Sequence, residues 1–127
     1  MTNPKVLIVE DNKINALVLK KAIEKFCQPF HVINDKQAFD AVQNHDFSLI
    51  FMDINLGSHS LDGEAIMKQI KAMPLNTHLP IFAVTSYAME GDKERFLEAG
   101  FDAYFSKPIH KESIISSLLE VLGEKSL

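Results

Sequence analysis

The 127-residue chain has one cysteine, Cys27, no tryptophan, and only five glycines and five prolines. A single cysteine excludes an internal disulfide and is typical of a reducing compartment. No apolar run approaches the roughly 20 residues of a membrane-spanning helix, and the opening MTNPKV lacks the apolar core of a signal peptide. The formal net charge is −4, so the chain lacks the excess of positive charge that is typical of a nucleic-acid-binding protein. We therefore expect a cytoplasmic protein that binds neither membranes nor nucleic acid directly.

The remaining composition is that of an ordinary globular domain. Hydrophobic residues make up 46% of the chain and charged residues 24%. A chain of this length can bury about two thirds of its unfolded surface around one core. The sequence contains no repeats, low-complexity tracts or interdomain linker, so we expect a single domain over residues 1–127.

Short apolar runs alternate with amphipathic segments along the whole chain. The runs at 5–9, 47–52 and 80–84 are continuously apolar, which is typical of parallel strands covered on both faces. Two further runs, at 30–33 and 102–105, bring the expected strands to five. This alternation predicts an α/β fold with a doubly wound (βα)₅ parallel sheet, because right-handed crossovers place helices on both faces.

The intervals between the runs have helical periodicity. Pro74 should end the third helix and Gly123 the last one. Residues 87–99 include Gly91 and few apolar side chains, so we expect a weak fourth helix. The apolar stripe of the first helix consists of Ile14, Val18, Ala22 and Phe26.

Polar side chains stand at the ends of four of the five expected strands. Asp53 follows the buried run Leu49–Met52, where a lone carboxylate would be costly to desolvate and therefore needs partners. In doubly wound sheets, ligands bind outside the carboxyl ends of the strands, so these polar groups should share one edge. The other strand-end residues are Glu10, Asp11, Thr85 and Lys107.

Such a cluster predicts a metal site with phosphoryl chemistry. Crowded carboxylates repel and raise one another's pKa, and a divalent cation together with a lysine would offset their charge. Ligands that are all oxygen favour a hard ion, Mg²⁺ or Mn²⁺. A carboxylate beside a metal ion, an ammonium and a hydroxyl is equipped to attack phosphorus and to form an aspartyl phosphate.

From VLIVEDNKIN to YFSKPI, the chain resembles the receiver domain of two-component response regulators. The resemblance implies a flavodoxin-like sheet with strand order 2-1-3-4-5. It implies that Asp53 accepts the phosphoryl group and that Glu10, Asp11, Asp53 and the backbone carbonyl of Asn55 bind the metal ion. The residues implied to bind the phosphoryl group or to switch with it are Thr85, Ser86, Tyr104 and Lys107.

The resemblance also implies a signalling function. A sensor histidine kinase or a histidine phosphotransfer protein would supply the phosphoryl group in a Mg²⁺-dependent step. The surface of the fourth helix, fifth strand and fifth helix would then bind a downstream protein or a second copy of the chain. The chain would catalyse only its own phosphorylation and dephosphorylation, and would not be an enzyme in the usual sense. The segment EDNKIN resembles receivers of hybrid kinases, whereas the Met1 start favours a stand-alone regulator without an output domain.

Two segments depart from the family pattern. Gly57 replaces a common proline, and Asp62–Gly63 arrive two residues late, so an insertion near 58–60 lengthens the loop after Asp53. The second departure is Tyr87, two residues after Thr85, which is unusually bulky for this position. We hypothesise that Asn55 and Tyr87 restrict the water that would hydrolyse the aspartyl phosphate, which would give a long-lived phosphoryl group.

Alternative interpretations stay open. A hydrolase of the haloacid dehalogenase type uses similar groups but needs an acid where this chain has Asn55, and flavodoxin-like FMN binding needs a hydroxyl-rich loop where EDNKIN is acidic. A degenerate receiver that only docks is a third possibility. Taken singly, Asp11 and Asn12 are cap candidates for the first helix, and Lys107 a solvated lysine. Cys27 is expected to pack as a small apolar group, and the five histidines show no metal-ligand spacing.

Overall fold

A computed structural model describes residues 3–86 and 88–126. Over these residues the chain forms one parallel sheet of five strands, in the order β2-β1-β3-β4-β5, and five α-helices. The expected fold and strand order are confirmed. The strands are β1 (Lys5–Val9), β2 (Gln28–Val32), β3 (Leu49–Asp53), β4 (Ile81–Thr85) and β5 (Ala103–Ser106). The helices are α1 (Lys13–Ile23), α2 (Asp35–Asn44), α3 (Gly63–Ala72), α4 (Asp92–Ala99) and α5 (Lys111–Ser126), with a 3₁₀ turn at Pro74–Asn76.

The three central strands are buried and the two edge strands are not. Every residue of β3 and β4 is buried, which explains their continuous apolar runs. The edge strands β2 and β5 are mostly half-buried or exposed. β2 begins two residues earlier than predicted, at Gln28, because an edge strand tolerates Pro29 on its unpaired side.

Each face of the sheet carries its own hydrophobic core. Side chains alternate along β1, so that Leu7 joins the core under α2, α3 and α4, while Ile8 joins the core under α1 and α5. Phe51 and Phe82 meet edge to face in the second core, with ring centroids 5.5 Å apart. No helix among the described residues is long and apolar enough to cross a membrane.

The buried face of α1 differs from the predicted stripe. Ile14 and Val18 are 73% and 51% exposed, and Phe26 lies beyond the end of the helix. Apolar residues surround much of this helix, so periodicity alone does not select the face that packs on the sheet. The residues of α1 that are buried are Ala16, Leu19, Ala22 and Ile23.

The ends of the helices agree with most of the predicted signals. Asn12 caps α1, because its side chain accepts a hydrogen bond from the Asn15 N–H at 3.0 Å. α3 ends before Pro74 as expected. The prediction that Gly123 ends the last helix is wrong, since α5 continues to Ser126. A glycine inside a helix costs only about 1 kcal/mol relative to alanine, which a long helix tolerates.

The α4 segment is weakly held, as expected. α4 begins after Gly91, which has a φ of 86° and no side chain to accept a capping hydrogen bond. Within the eight residues of α4, only Phe96 is buried.

Cys27, before β2, is buried as predicted. Its thiol donates to the Ile23 carbonyl, and burial raises the pKa of that thiol to about 11. A thiol of this kind is a packing group and a poor nucleophile.

Candidate functional site

The carboxyl ends of β1, β3 and β4 and the segment after β5 converge on one acidic pocket. This is the edge of the sheet at which the sequence predicted a site. The residues that line the pocket are Glu10, Asp11, Asn12, Asn15, Asp53, Asn55, Gly57, Ser86 and Lys107.

The backbone around Asp53 is tightly constrained. Asp53 is the last residue of β3 and pairs with Val84 of β4, and the next residue, Ile54, donates its N–H to the Val84 carbonyl at 3.1 Å. Gly63, the first residue of α3, donates its N–H to the Ile54 carbonyl at 2.9 Å. A Cβ on Gly63 would lie 2.2 Å from the Asp53 backbone oxygen, so only glycine fits at this approach.

Three carboxylates meet in the pocket. Glu10, Asp11 and Asp53 each offer one oxygen, and these oxygens lie within 4.8 Å of one another. Glu10 and Asp53 are both only 5% exposed, whereas Asp11 is exposed. Because Asn12 caps α1, Asp11 is not needed as the cap. A donor set made only of oxygens and open to solvent on one side fits Mg²⁺, which retains several waters.

Lys107 provides the positive charge at this edge. Its ammonium pairs with the Glu10 carboxylate and lies 3.6 Å from Asp53 Oδ1. The Lys107 N–H donates to the Thr85 carbonyl at 2.8 Å, which fixes the start of this side chain against the end of β4. The following Lys107–Pro108 peptide is cis.

The pKa values of Glu10 and Asp53 are shifted in opposite directions in this pocket. Burial, with the Glu10 carboxylate as the next cause, raises the pKa of Asp53 to about 7, against the opposing effects of Lys107 and the Asn55 N–H. Burial also acts to raise the pKa of Glu10, but the hydrogen bond from Lys107 helps to bring it below its ordinary value. Of these two residues, only Asp53 therefore shows the expected increase in pKa. A divalent cation would favour its ionised form.

The predicted switch residues occupy two places. Thr85 is buried at the end of β4, and Ser86 is exposed in the pocket wall. Tyr104 lies outside the pocket: its ring stacks on Phe96 of α4 with a centroid distance of 5.8 Å and an interplanar angle of 16°. Its hydroxyl is buried and has no hydrogen-bond partner among the described residues. Tyr87 lies outside the described residues, so its role stays a prediction.

The lengthened loop after Asp53 is hydrogen-bonded to the start of α2. The Asp35 N–H donates to Ser60 Oγ at 3.0 Å, and the Leu61 N–H donates to Asp35 Oδ2 at 3.1 Å. Gly57 lines the pocket with a φ of 87°, which proline cannot adopt. A proline at this position would therefore require a different path of the loop. Asp62 then caps α3 by accepting the Ala65 N–H at 2.8 Å.

Two features near the pocket were not predicted from the sequence. The His31 ring lies with Nε2 2.6 Å from the Glu10 backbone carbonyl. The exposed apolar residues Ile14, Leu17 and Val18 lie on α1 close to the pocket residue Asn15. The contact of His31 with Glu10 could not be predicted from residue spacing in the sequence, because it depends on the pairing of β1 with β2. Ile14 and Val18 of this patch were predicted to belong to the apolar stripe of α1, but both are exposed.

Comparison with known proteins agrees with this geometry. The family described as "Response regulator receiver domain" matches residues 6–119. The polar-differentiation response regulator DivK of Brucella anthropi is 37% identical over 120 residues, which cover 94% of this chain and 96% of that protein. DivK of Brucella abortus (strain 2308) is 36% identical over 122 residues with the same coverage.

Solved structures share the fold over nearly the whole chain. The receiver domain of the sensor histidine kinase PA1611 from Pseudomonas aeruginosa, solved with a magnesium ion coordinated in its active-site cleft, has a TM-score of 0.84 and 28% identity. The match covers 96% of this chain and 99% of that one. The receiver domain of a signal transduction histidine kinase from Syntrophus aciditrophicus has a TM-score of 0.83 and 28% identity, with coverages of 95% and 91%. With the family match over most of its length, this chain belongs to the receiver domains of two-component response regulators.

Proposed function

We propose that Asp53 accepts a phosphoryl group from a phosphorylated histidine of a sensor histidine kinase or a histidine phosphotransfer protein. The observation that carries the proposal is the setting of the Asp53 carboxylate. It is buried at the end of β3, 3.6 Å from the Lys107 ammonium, and shares an oxygen-only cluster with Glu10 and Asp11. A structural turn or cap would not require this combination of charges.

The transfer proceeds by attack of an Asp53 carboxylate oxygen on the phosphorus atom. A new P–O bond forms, the P–N bond to the donor imidazole breaks, and the imidazole leaves with the bonding electron pair and takes a proton from solvent. Glu10, Asp11, Asp53 and the backbone carbonyl of Asn55 would hold Mg²⁺ or Mn²⁺, which supplies positive charge for the phosphoryl oxygens. Lys107 supplies a second positive charge from the protein itself.

The raised pKa of Asp53 makes this chemistry depend on cations. A carboxyl group with a pKa of about 7 is partly protonated at neutral pH, and the protonated form is a poor nucleophile. The Lys107 ammonium and a bound divalent cation both favour the ionised form. We therefore expect a bound divalent cation to increase the reactivity of Asp53 by favouring its ionised form.

The phosphoryl group is read out through Thr85, Tyr104 and α4. The Thr85 hydroxyl would bond a phosphoryl oxygen, drawing the start of the α4 connection toward the pocket. Tyr104 stacks on Phe96, and its buried hydroxyl has no hydrogen-bond partner in the part of the chain that the structure describes. An unpaired buried hydroxyl costs about 1–3 kcal/mol. A small bias is then enough to change the position of this ring and of α4, whose exposed surface with β5 and α5 would bind a downstream protein.

The lifetime of the phosphoryl group is proposed to depend on Asn55 and Tyr87. Asn55 is exposed in the pocket wall, where its side chain can restrict an attacking water. Asn55→Ala and Tyr87→Ala should therefore lose the phosphoryl group faster than the unmodified protein. An unchanged rate of loss for either variant would remove that residue from the proposal.

We place the phosphoryl transfer in the cytoplasm, because the chain has a free buried cysteine, which is typical of a reducing compartment.

We propose that the phosphoryl donor docks on α1. The exposed apolar residues Leu17 and Val18 border a groove that Ile109 and Lys111 complete beside the pocket. Val18→Glu should slow labelling by whichever histidine kinase or phosphotransfer protein labels the unmodified chain, with acetyl phosphate labelling unchanged. Equal labelling by the protein donor would exclude this surface.

The direct test is incubation with acetyl phosphate and Mg²⁺ followed by intact-mass measurement. The proposal expects one phosphoryl increment on the unmodified chain and none on Asp53→Asn. A folded chain that binds Mg²⁺ but gains no increment would favour a module that only docks. Multiple turnover of a phosphate ester without a stable increment would favour a hydrolase.

The coupling to α4 is tested separately with Thr85→Ala. This variant should still gain the phosphoryl increment, because Asp53 and the acidic cluster are intact. Its α4 amide resonances should change much less on phosphorylation than those of the unmodified protein. Full resonance changes in the variant would contradict the role of Thr85.

A further inference from the structure

We propose that His31 is a positioning residue for the metal-binding carboxylates, an inference that rests on the proposed function of the pocket. His31 lies on the edge strand β2, and its Nε2 is 2.6 Å from the backbone oxygen of Glu10. A carbonyl oxygen only accepts hydrogen bonds, so this ring nitrogen carries the hydrogen and donates it. The contact joins residues that are 21 positions apart in the sequence.

The contact holds the end of β1 where the strand ladder has stopped. The pairing between β1 and β2 ends at Val9 and Val32, and the Glu10 N–H still donates to the Val32 carbonyl at 3.0 Å. The chain then turns at Asn34, which caps α2 by accepting the Gln37 N–H. The Glu10 carbonyl therefore receives its hydrogen bond from a side chain of the neighbouring strand instead of from a further rung of the ladder.

This carbonyl belongs to the peptide unit that joins Glu10 to Asp11. A rotation of that unit would move the Asp11 backbone and with it a carboxylate that must lie within 4.8 Å of those of Glu10 and Asp53. Asp11 is exposed and has little packing of its own to fix it. Because Mg²⁺ accepts only near-octahedral ligand geometry, small displacements of one carboxylate reduce its affinity. His31 thus acts on the metal ion through the backbone between two of its ligands.

The test is a Mg²⁺ titration of the full chain followed by the amide resonances of Asp53 and Asn55. His31→Leu should weaken Mg²⁺ binding about tenfold, the lower end of the range for groups that orient metal ligands. His31→Gln keeps an N–H donor of similar reach and should recover most of the affinity. His78→Leu is the matched control, because His78 is exposed in the connection before β4, at the opposite end of the sheet.

Thermal unfolding in the absence of metal separates positioning from a loss of fold. His31→Leu should melt within a few degrees of the unmodified protein, since His31 is exposed and belongs to neither core. Equal Mg²⁺ affinities of His31→Leu and the unmodified protein would overturn the inference about His31 and leave the proposed function intact. Failure of the unmodified protein to bind Mg²⁺ would instead overturn the proposed function.

Discussion

The edge of the sheet at Asp53 is tightly packed, whereas the helix α4 is loosely packed. Asp53 is buried at the end of a strand whose every residue is buried, and Gly63 approaches its backbone too closely for any other side chain. α4 buries only Phe96 and has no side-chain cap at its start. Its ion pair to α3 joins Arg95 and Glu64 at 3.5 Å on the surface, where such pairs contribute about 0–1 kcal/mol.

On the proposed function, this difference separates the reaction from its readout. In-line attack on phosphorus needs a carboxylate that is held in place, and the close contacts of the backbone around Asp53 meet this need. A surface that reports the reaction must change at small cost, and elements with few buried contacts open or shift most easily. The molecule therefore combines a rigid reactive edge with a loosely attached helix.

The largest effect is expected from filling the space at Gly63. Gly63→Ala would place a Cβ against the Asp53 backbone oxygen, and the displacement should cost about 3 kcal/mol of unfolding free energy and most of the phosphoryl acceptance. The control is Gly123→Ala, because a Cβ at Gly123 in α5 meets nothing within 4 Å. That variant should be as stable as the unmodified protein or more stable. Urea unfolding measures both, and equal stabilities would contradict the rigid edge.

The next effect is expected from removing the positive charge of the pocket. Lys107→Met should slow labelling by acetyl phosphate about 100-fold, as the loss of one preorganised group at a transition state commonly does. Mg²⁺ should bind more tightly, because a competing cation next to Glu10 and Asp53 is gone. Lys36→Met, an exposed control on α2, should change neither quantity. Weaker Mg²⁺ binding by Lys107→Met would mean that the lysine mainly maintains the shape of the pocket.

A dependence of stability on pH is also expected in the absence of metal. Burial raises the pKa of Asp53 from 3.8 to about 7, so between these values the folded protein holds a proton that the unfolded chain releases. The stability that Asp53 contributes is complete below the lower value and is lost as the pH rises through the upper one. In EDTA, the unmodified protein should therefore lose stability relative to Asp53→Asn across this interval. A difference that does not change with pH would contradict the raised pKa.

The smallest effect concerns the tyrosine that contacts α4. Tyr104→Phe removes a buried hydroxyl that has no hydrogen-bond partner among residues 3–86 and 88–126 and keeps the ring stacked on Phe96. It should therefore stabilise the unphosphorylated protein by about 1 kcal/mol. Urea unfolding of the variant measures this change. A destabilised variant would show that the hydroxyl has a stabilising contact in solution.

Local patterns predicted the fold and several residues of the pocket. Continuous apolar runs identify central parallel strands, and the residues at their ends are brought together by the topology, which is why Asp53, Glu10 and Lys107 were found. Features that depend on packing between distant segments were not predictable. The face of α1 that is buried, and the contact of His31 with Glu10, are decided by neighbours that the local sequence does not specify. Gly123 shows a different limit, because one glycine costs a helix only about 1 kcal/mol and does not by itself end it.

Hydrogen exchange measured by mass spectrometry, with and without acetyl phosphate and Mg²⁺, most directly tests the division between a rigid edge and a mobile helix. Peptides covering β3 should exchange slowly in both states, whereas peptides covering Asp92–Ala99 should exchange rapidly and change their rate on phosphorylation. The Asp53→Asn variant should show no change in either region. Phosphorylated protein in which α4 is unaltered, or in which β3 changes as much as α4, would contradict the proposed separation of reaction and readout.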